Sequence, residues 1–339
     1  MAGVTRPLFE RYPKLLAAAP IVEIGAFPTP VAPLKSLGAA WGVDLWVKRD
    51  DVTGEDFGGN KVRKLEFLLA DAKARAERIW AYAVTGSNWA VAVAHYGKRF
   101  GIPVDLLLFK RPLNPYLKKN LELARGLARS SKVTRSVATI PFHGLVQLVS
   151  NLRTYVMPPG GSSALSTLGY INAGLELAAQ VKSGELPRPD VVVVALGTGG
   201  TLAGVHAGLR LAELNAEVIG VRVADRIISN ATFTARIARR ATALLARRSG
   251  DASAAIAVRA RDLRIVHEFI GKGYGIATPA GDEAARELEE REGLKAESTY
   301  TAKALAAVKA MAPEFRGKRV LFWLTCNSRP IEGLVVRHS

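Results

Sequence analysis

One lysine occupies a position that is unfavourable for an ordinary surface cation. In the stretch GGNKVRKLEFLL, residues 58–69, Lys61 follows two glycines and an asparagine and begins a segment with helical spacing of apolar residues. The N-terminus of a helix is the positive end of its dipole, and Arg63 and Lys64 add positive charge, so we expect the pKa of Lys61 to be lowered. Schiff-base chemistry requires such a neutral amine. The alternative interpretation is a solvated surface lysine.

A second stretch has the composition of a phosphate-binding site. VVVVALGTGGTLAG, residues 191–204, is typical of a buried strand, a glycine-rich turn and a helix start. Gly199 and Gly200 allow the backbone to turn N–H groups toward an anion. Thr198 and Thr201 add hydroxyl groups, and the helix dipole adds positive potential. The stretch matches neither a Walker loop nor G-x-G-x-x-G, and the alternative is a plain tight turn.

The two stretches together favour one cofactor. Pyridoxal phosphate has an aldehyde that suits a neutral lysine and a phosphate that suits a glycine-rich turn. The histidines show no metal-ligand spacing, and the single cysteine, Cys326, excludes a cysteine-based metal cluster and an internal disulfide. No metal is therefore expected.

The elements that must position these residues alternate in type. The predicted strands are DLWVKRD, IWAYAV, VDLLLF, DVVVVAL, EVIGVRVA and RVLFWLT, and helical segments such as KVRKLEFLLADAKARA and WAVAVAHYGKRFG separate them. This alternation predicts an α/β fold with open parallel sheets. The stretch VMPPGGSSALSTLGY, residues 156–170, is the clearest break, where the chain could pass between domains.

Composition bounds the class of protein. The 339 residues are 49% hydrophobic, enough for two domains, and no uncharged apolar run reaches the roughly 18 residues of a membrane span. The start of the chain lacks the apolar stretch of a signal peptide, so a cytoplasmic protein is expected. The net charge is +17, with its densest basic run at residues 236–248. That run indicates a solvated helix face or a polyanion site, and no aromatic residue interleaves it.

Six stretches carry a resemblance to a known family. KRDDVTGEDFGGNKVRKLEFLLADA resembles the cofactor-lysine segment of the D-cysteine desulfhydrase and 1-aminocyclopropane-1-carboxylate deaminase family, and five further stretches follow in the family's order: GSN, PPGGSSALSTLGYINAGLEL, GTGGTLAG, GYG and YTAKALAAV. The resemblance implies pyridoxal 5'-phosphate, the tryptophan synthase β-like fold (fold type II) and a homodimer. It implies a larger cofactor-binding domain of residues 1–50 plus 160–339, a smaller α/β domain of residues 51–159, and an active site in the cleft between them.

The resemblance also implies roles for individual residues. The cofactor is assigned to Lys61 as the Schiff-base lysine, Lys64, Asn88 at the phenolic oxygen, the phosphate cup Thr198, Gly199, Gly200 and Thr201, and Thr325 at the pyridine nitrogen. Catalysis is assigned to Lys61, Ser87, Tyr274 and Tyr300, and the substrate is assigned to Ser87, Asn88, Trp89, Tyr274 and Tyr300. The alternatives are helix capping by Ser87 and Asn88, core packing of both tyrosines, and an ordinary strand end at Thr325.

The residue types favour one reaction. A neutral hydroxyl at Thr325 leaves the pyridine nitrogen largely unprotonated, which suits prompt β-elimination of a good leaving group. We therefore predict a lyase that performs α,β-elimination and deamination of a small amino acid, giving a keto acid and ammonia. The resemblance suggests a sulfur-bearing, D-cysteine-like substrate. Thr301 stands where the deaminase branch has glutamate, which argues against the cyclopropane substrate.

Departures from the family pattern concern the substrate. Trp89 replaces a polar residue, and Cys326 and Asn327 replace glycines, so substrate specificity is predicted to have diverged. The alternatives are a deaminase of another small amino acid, such as 1-aminocyclopropane-1-carboxylate, and a non-catalytic binding protein, against which the intact Lys61 argues. A small amino acid is the expected partner, with no nucleic acid and no membrane.

Overall fold

Strands and helices alternate along the chain. The structure is a computed structural model that describes residues 6–134 and 153–329. The strands are β1 Val31–Pro33, β2 Asp44–Arg49, β3 Arg78–Val84, β4 Val104–Phe109, β5 Ser130–Thr134, β6 Thr154–Met157, β7 Val191–Leu196, β8 Glu217–Arg222, β9 Arg264–Val266 and β10 Arg319–Leu324. The helices are α1 Pro7–Arg11, α2 Lys14–Ala18, α3 Lys35–Trp41, α4 Lys61–Arg75, α5 Asn88–Arg99, α6 Pro115–Leu127, α7 Ala164–Lys182, α8 Gly200–Leu211, α9 Ala231–Ser249, α10 Pro279–Glu292 and α11 Thr301–Ala310.

The strands form two separate sheets. One sheet has the order β1-β2-β10-β7-β8-β9, and the other has the order β5-β4-β3-β6. The pairings are parallel, except that β1 runs antiparallel to β2 at one edge. All six residues of β7 are buried, as expected for a central strand covered by helices on both faces. The predicted α/β fold with parallel sheets is therefore confirmed.

The two sheets use different parts of the chain. The four-stranded sheet takes its strands from residues 78–157, and the six-stranded sheet takes strands from both sides of that range. The predicted break at residues 156–170 contains the end of β6, a 3-10 turn at Pro159–Gly161 and the start of α7. The domain boundaries after residues 50 and 159 stay a prediction.

The helix that begins at Lys61 packs tightly against α7. A Cβ atom at Gly169 of α7 would lie 2.0 Å from the backbone oxygen of Arg63 in α4, so only glycine permits this approach. The close contact fixes the first turn of α4, and hence Lys61, relative to the six-stranded sheet.

A buried ionic cluster holds α4 from the other side. The Arg63 guanidinium donates to both carboxylate oxygens of Asp50, at 2.8 and 3.0 Å, and to both of Glu176, at 2.9 Å each. The Lys48 ammonium donates to Glu176 at 2.6 Å. Burial alone would raise the pKa of Glu176, but Arg63 and Lys48 outweigh it and hold that pKa at about 2. The cluster ties α4 to α7 and to the end of β2.

The arginine-rich run lies on α9. Arg236, Arg239, Arg240 and Arg247 are exposed, whereas the opposite side of the helix is buried against the protein. This arrangement is that of an amphipathic surface helix. Within residues 6–134 and 153–329, no helix combines the length and the apolar character needed to cross a bilayer.

Candidate active site

A cavity of about 510 Å³ lies where strands of both sheets end. Its walls include Val84 and Phe109, the last residues of β3 and β4, and Leu196, the last residue of β7. Thr325, which directly follows β10, also lines it. Ligands of open α/β sheets bind at the carboxyl ends of the strands, so this cavity is the candidate site.

Most of the residues singled out in the sequence meet in this cavity. It is lined by Lys61, Lys64, Ser87, Asn88, Trp89, Thr198, Gly199, Thr201, Tyr274, Tyr300 and Thr325. Gly200 is not part of the lining, but its backbone N–H donates to the Ser162 hydroxyl at 3.3 Å. The structure thus brings together side chains that are distant in sequence, and their individual roles stay predictions.

The glycines before Lys61 let the chain approach two neighbouring segments. A Cβ atom at Gly58 would lie 2.1 Å from the Asp51 carbonyl oxygen, and Gly59 has a φ of +92°. The backbone N–H of Asn60 then donates to the Thr325 carbonyl at 3.0 Å. This hydrogen bond ties the start of α4 to the end of β10 and places Lys61 in the cavity wall.

Lys61 has the lowered pKa that the sequence predicted, but for another reason. Burial lowers the pKa of Lys61 to about 8, while the Glu297 carboxylate opposes that shift. Arg63 points away, into the cluster with Asp50 and Glu176. The expectation that Arg63 and Lys64 cause the shift is therefore wrong, because desolvation is the main cause.

Two loops and the start of α4 form a cup of hydrogen-bonding groups. The hydroxyls of Ser162 and Thr198 lie 2.6 Å apart. The Lys64 ammonium donates to the Ser162 hydroxyl at 3.1 Å and to the Gly160 carbonyl at 3.2 Å. The side-chain amide of Asn60 donates to the Thr201 hydroxyl at 3.1 Å, at the N-terminus of α8. Hydroxyls, an amine and a helix N-terminus make up the donor set that binds phosphate.

Lys64 gives this cup a buried amine that lacks an anionic partner. Its side chain is only 1% exposed, and no carboxylate lies within ion-pair distance of it in the described part of the chain. Burial, and then the charge of Lys61, hold the pKa of Lys64 well below its ordinary value. A buried amine without an anion is unfavourable, and a phosphate in the cup would supply that anion. The residues present therefore fit a phosphorylated cofactor.

The stretch after β3 forms the opposite wall. The Ser87 hydroxyl accepts from the backbone N–H of Ala90 at 3.3 Å and so caps α5, as one alternative predicted. Trp89 is 2% exposed, and its indole N–H donates to the Tyr82 carbonyl at 3.0 Å. Trp89 therefore offers the cavity ring carbons and no hydrogen-bond donor.

The two predicted tyrosines face each other. The hydroxyl groups of Tyr274 and Tyr300 are hydrogen-bonded, and their rings meet edge to face at 5.6 Å between centroids. Burial raises the pKa of Tyr274, and burial and the neighbouring Tyr274 raise that of Tyr300. Both hydroxyls stay protonated at neutral pH. One of the two protons is used in the hydrogen bond between them, so one hydroxyl of the pair can donate into the cavity.

Glu297 is a cavity residue that sequence reasoning missed. Its carboxylate accepts from the backbone N–H groups of Thr299, Tyr300 and Thr301 at 2.7–3.1 Å, and so caps α11. Burial raises the pKa of Glu297 to about 7 against the effect of these hydrogen bonds. The signal that could have found it is an acidic residue three positions before the predicted Tyr300.

Other contributors were missed as well. Asn60 and Ser162 lie inside the quoted stretches, and an inventory of every donor there would have found them. Tyr116 and Asn120 of α6 contact Asn88, and no motif marks them. Their position depends on how α6 packs against α5, which the sequence pattern does not define.

The chain is similar to known proteins over most of its length. The profile of a family described as "Pyridoxal-phosphate dependent enzyme" matches residues 22–325. A Thermotoga maritima protein with the provisional name 1-aminocyclopropane-1-carboxylate deaminase is 32% identical over 308 residues, which is 89% of this chain and 94% of that protein. The D-cysteine desulfhydrase of Salmonella paratyphi A is 32% identical over 303 residues, 86% of this chain and 88% of that enzyme. A solved structure of an ACC deaminase homologue aligns with a TM-score of 0.80 at 27% identity and covers 96% of both chains.

Proposed function

Because the chain belongs to the family of pyridoxal-phosphate dependent enzymes, we propose that it is a lyase that converts a small β-substituted amino acid to a keto acid and ammonia. One observation carries the proposal: a lysine with a pKa of about 8 shares a cavity with a phosphate cup, and Lys61 and Lys64 join the two from adjacent turns of α4. The cofactor, when bound, supplies an aldehyde for an amine and a ring that accepts electrons from the substrate's α-carbon.

Lys61 is the proposed acid–base group. Its amine, when neutral, takes the proton from the substrate's α-carbon. The leaving group then departs from the β-carbon with its bonding electron pair, and a double bond forms between the α- and β-carbons. The β-carbon then takes up a proton, the double bond moves to the nitrogen, and water replaces the nitrogen with oxygen, which yields a keto acid, ammonia and the released group. The Tyr274 and Tyr300 hydroxyls share one hydrogen bond, and the proton that this bond leaves free is proposed to be donated to the substrate side of the cavity.

The remaining residues bind and orient. The cup formed by Lys64, Ser162, Thr198 and Thr201 would hold the phosphate, and Thr325, which lines the same cavity, would face the pyridine nitrogen. Because a threonine hydroxyl cannot force that nitrogen to stay protonated, it supports elimination over reactions that need a long-lived carbanion. The hydroxyl of Ser87 is proposed to contact the substrate carboxylate in addition to capping α5.

A second candidate reaction is the ring-opening deamination of 1-aminocyclopropane-1-carboxylate. The Glu297 carboxylate favours it, because an acid lies beside Tyr300 and Thr301 although residue 301 itself is neutral. Two of the similar proteins carry the name of that deaminase.

A spectrum and a substrate panel test the proposal. We expect the purified protein to give a visible band with pyridoxal phosphate, and Lys61→Ala to lose it. D- and L-cysteine and D- and L-β-chloroalanine would then be assayed for pyruvate, and the cyclopropane for 2-oxobutanoate. Pyruvate from a β-substituted amino acid supports elimination. Turnover of the cyclopropane alone would replace it with the second candidate, and a wild-type protein without a band would overturn both.

We also propose that the enzyme works in the cytoplasm as a homodimer. Five large apolar side chains are exposed within the described residues, among them Ile227 at 87% and Leu16 at 51%, and a second copy could cover some of them. Sedimentation equilibrium at micromolar concentration tests the dimer, and a single species of 36.3 kDa would contradict it.

A further inference from the structure

Two side chains of α6 hold the amide of Asn88. The Asn88 side-chain oxygen accepts a hydrogen bond from the Tyr116 hydroxyl at 2.6 Å and another from the Asn120 amide nitrogen at 2.9 Å. Tyr116 and Asn120 are four residues apart, so both point from the same face of α6. Asn88 itself is the first residue of α5 and lines the cavity.

The orientation of the Asn88 amide follows from a neighbouring carbonyl group. The Gly86 backbone oxygen can only accept, and it lies 3.1 Å from the side-chain nitrogen of Asn120. That nitrogen must therefore be the Asn120 donor. Since the same nitrogen also faces Asn88, the Asn88 atom opposite it must be an acceptor, which is the amide oxygen.

Because these contacts occupy the Asn88 oxygen and Asn88 lines the cavity, we infer that its amide nitrogen faces the cavity. Both hydrogen bonds from α6 end on the amide oxygen, and none of the side-chain hydrogen bonds of the described residues involves the amide nitrogen. The buried oxygen of Asn120 is itself without a partner in the described residues. An unsatisfied buried acceptor lowers the stability of the fold. We therefore infer that this orientation of Asn120 serves to hold Asn88 and not to stabilise the protein.

We propose that Tyr116 and Asn120 are positioning residues that turn the Asn88 amide N–H toward the phenolic oxygen of the cofactor. The inference rests on the proposed place of the cofactor in the cavity. A donor at that oxygen stabilises its ionised form, so the bound cofactor keeps its phenolate at lower pH than it would without the two contacts. Tyr116 is suited to this task, because burial raises its pKa and keeps it a donor.

Other titratable groups surround Tyr116 and stay constant in the test. The charges of Glu297 and Cys326 raise the pKa of Tyr116, and Tyr116 in turn raises the pKa of Tyr300. A change of Tyr116 to phenylalanine keeps the ring and removes only the hydroxyl group. A change in the spectrum therefore reports the loss of this hydroxyl group from its contacts with Asn88 and Asn120.

The experiment is a pH titration of the visible band of the cofactor-loaded protein. We expect Tyr116→Phe to raise the apparent pKa of the band by about half a unit, because one of two contacts that orient the amide is lost. Asn120→Ser should raise it similarly, and Asn88→Ala should raise it by about one unit. Tyr155→Phe is the matched control, since the Tyr155 hydroxyl donates to Asp71 at 2.8 Å and does not line the cavity.

The outcomes separate this inference from the proposed function. If Asn88→Ala shifts the band but Tyr116→Phe and Asn120→Ser leave its pKa and wavelength as in the wild type, the positioning role is wrong and the proposed function stands. If Asn88→Ala also has no effect, the cofactor does not lie against Asn88 and the inference fails with its premise. Circular dichroism shows whether each variant is folded, and either α6 variant alone suffices if the other does not fold.

Discussion

Glu297 and Thr301 are joined by two hydrogen bonds. One carboxylate oxygen of Glu297 accepts from the Thr301 backbone N–H at 2.8 Å and from the Thr301 hydroxyl at 3.0 Å. The sequence predicts a site without an acid at this point, because residue 301 is threonine. The structure instead supplies the acid from four residues earlier, so Thr301 alone does not argue against a carboxylate-assisted reaction.

The carboxylate makes stability depend on pH near neutrality. The pKa of Glu297 is about 7, above the value of about 4.5 in the unfolded chain, so the folded state holds its proton longer. Stability contributed by this group therefore falls as the pH rises from about 4.5 to 7, by on the order of 2 kcal/mol after a discount for partial exposure. Melting temperatures of the apoprotein from pH 4.5 to 8 should fall less in Glu297→Gln than in the wild type. Glu283→Gln, on the exposed surface, is the control. Parallel curves for Glu297→Gln and the wild type would refute the raised pKa.

The pKa of Lys61 predicts how fast the cofactor is captured. An amine with a pKa of about 8 is about one-tenth neutral at pH 7, whereas an ordinary lysine is almost fully protonated. The rate of band formation after apoprotein is mixed with pyridoxal phosphate should rise about tenfold per unit up to pH 7 and level off above pH 8. Stopped-flow absorbance measures this rate, with Lys61→Ala as the blank. A rate that still climbs at pH 10 would show that burial does not lower this pKa.

The Ser162 hydroxyl should contribute to the binding of the cofactor's phosphate group and not to the binding of its ring. Ser162→Ala removes a group that contacts Thr198, Lys64 and the N-terminus of α8, and we expect the dissociation constant of pyridoxal phosphate to rise about tenfold. Pyridoxal, which lacks the phosphate, should bind both proteins equally. Fluorescence titration of the apoproteins measures both affinities, with the exposed Ser183→Ala as control. Equal losses for both ligands would place the phosphate elsewhere.

The ionic cluster under α4 predicts a large loss of stability from one substitution. Glu176→Gln leaves Arg63 and Lys48 buried with one carboxylate fewer, which we expect to cost about 3–5 kcal/mol of unfolding free energy. The pKa of Glu176 is about 2, so its contribution is complete above about pH 4.5 and is lost as the pH falls toward 2. Urea unfolding at pH 7 measures the loss. A change within the error of the Glu283→Gln control would mean that the cluster does not stabilise the fold.

Local patterns and long-range contacts differ in what the sequence reveals about them. Lys61 and the stretch Thr198–Thr201 could be identified because strand, turn and helix start follow one another within a few residues, and the order of strands and helices predicted the sheets. The hydrogen bonds of Tyr116 and Asn120 to Asn88 could not be identified, because they depend on the rotation of one helix against another. The cause of the lowered pKa of Lys61 was misjudged for the same reason: charges are visible in a sequence, whereas burial is a property of the packed chain.

The phosphate cup is assembled from α4, the loop after β6 and the start of α8, and this has a consequence for the lifetime of the protein in the cell. A ligand that contacts segments so far apart in sequence binds only the folded chain. A free ligand concentration one hundred times its dissociation constant therefore raises the free energy of unfolding by about 2.7 kcal/mol. Protein molecules without pyridoxal phosphate would unfold more often and would be degraded faster by proteases. The abundance of the enzyme would then follow the concentration of its cofactor in the cell, without any change in transcription.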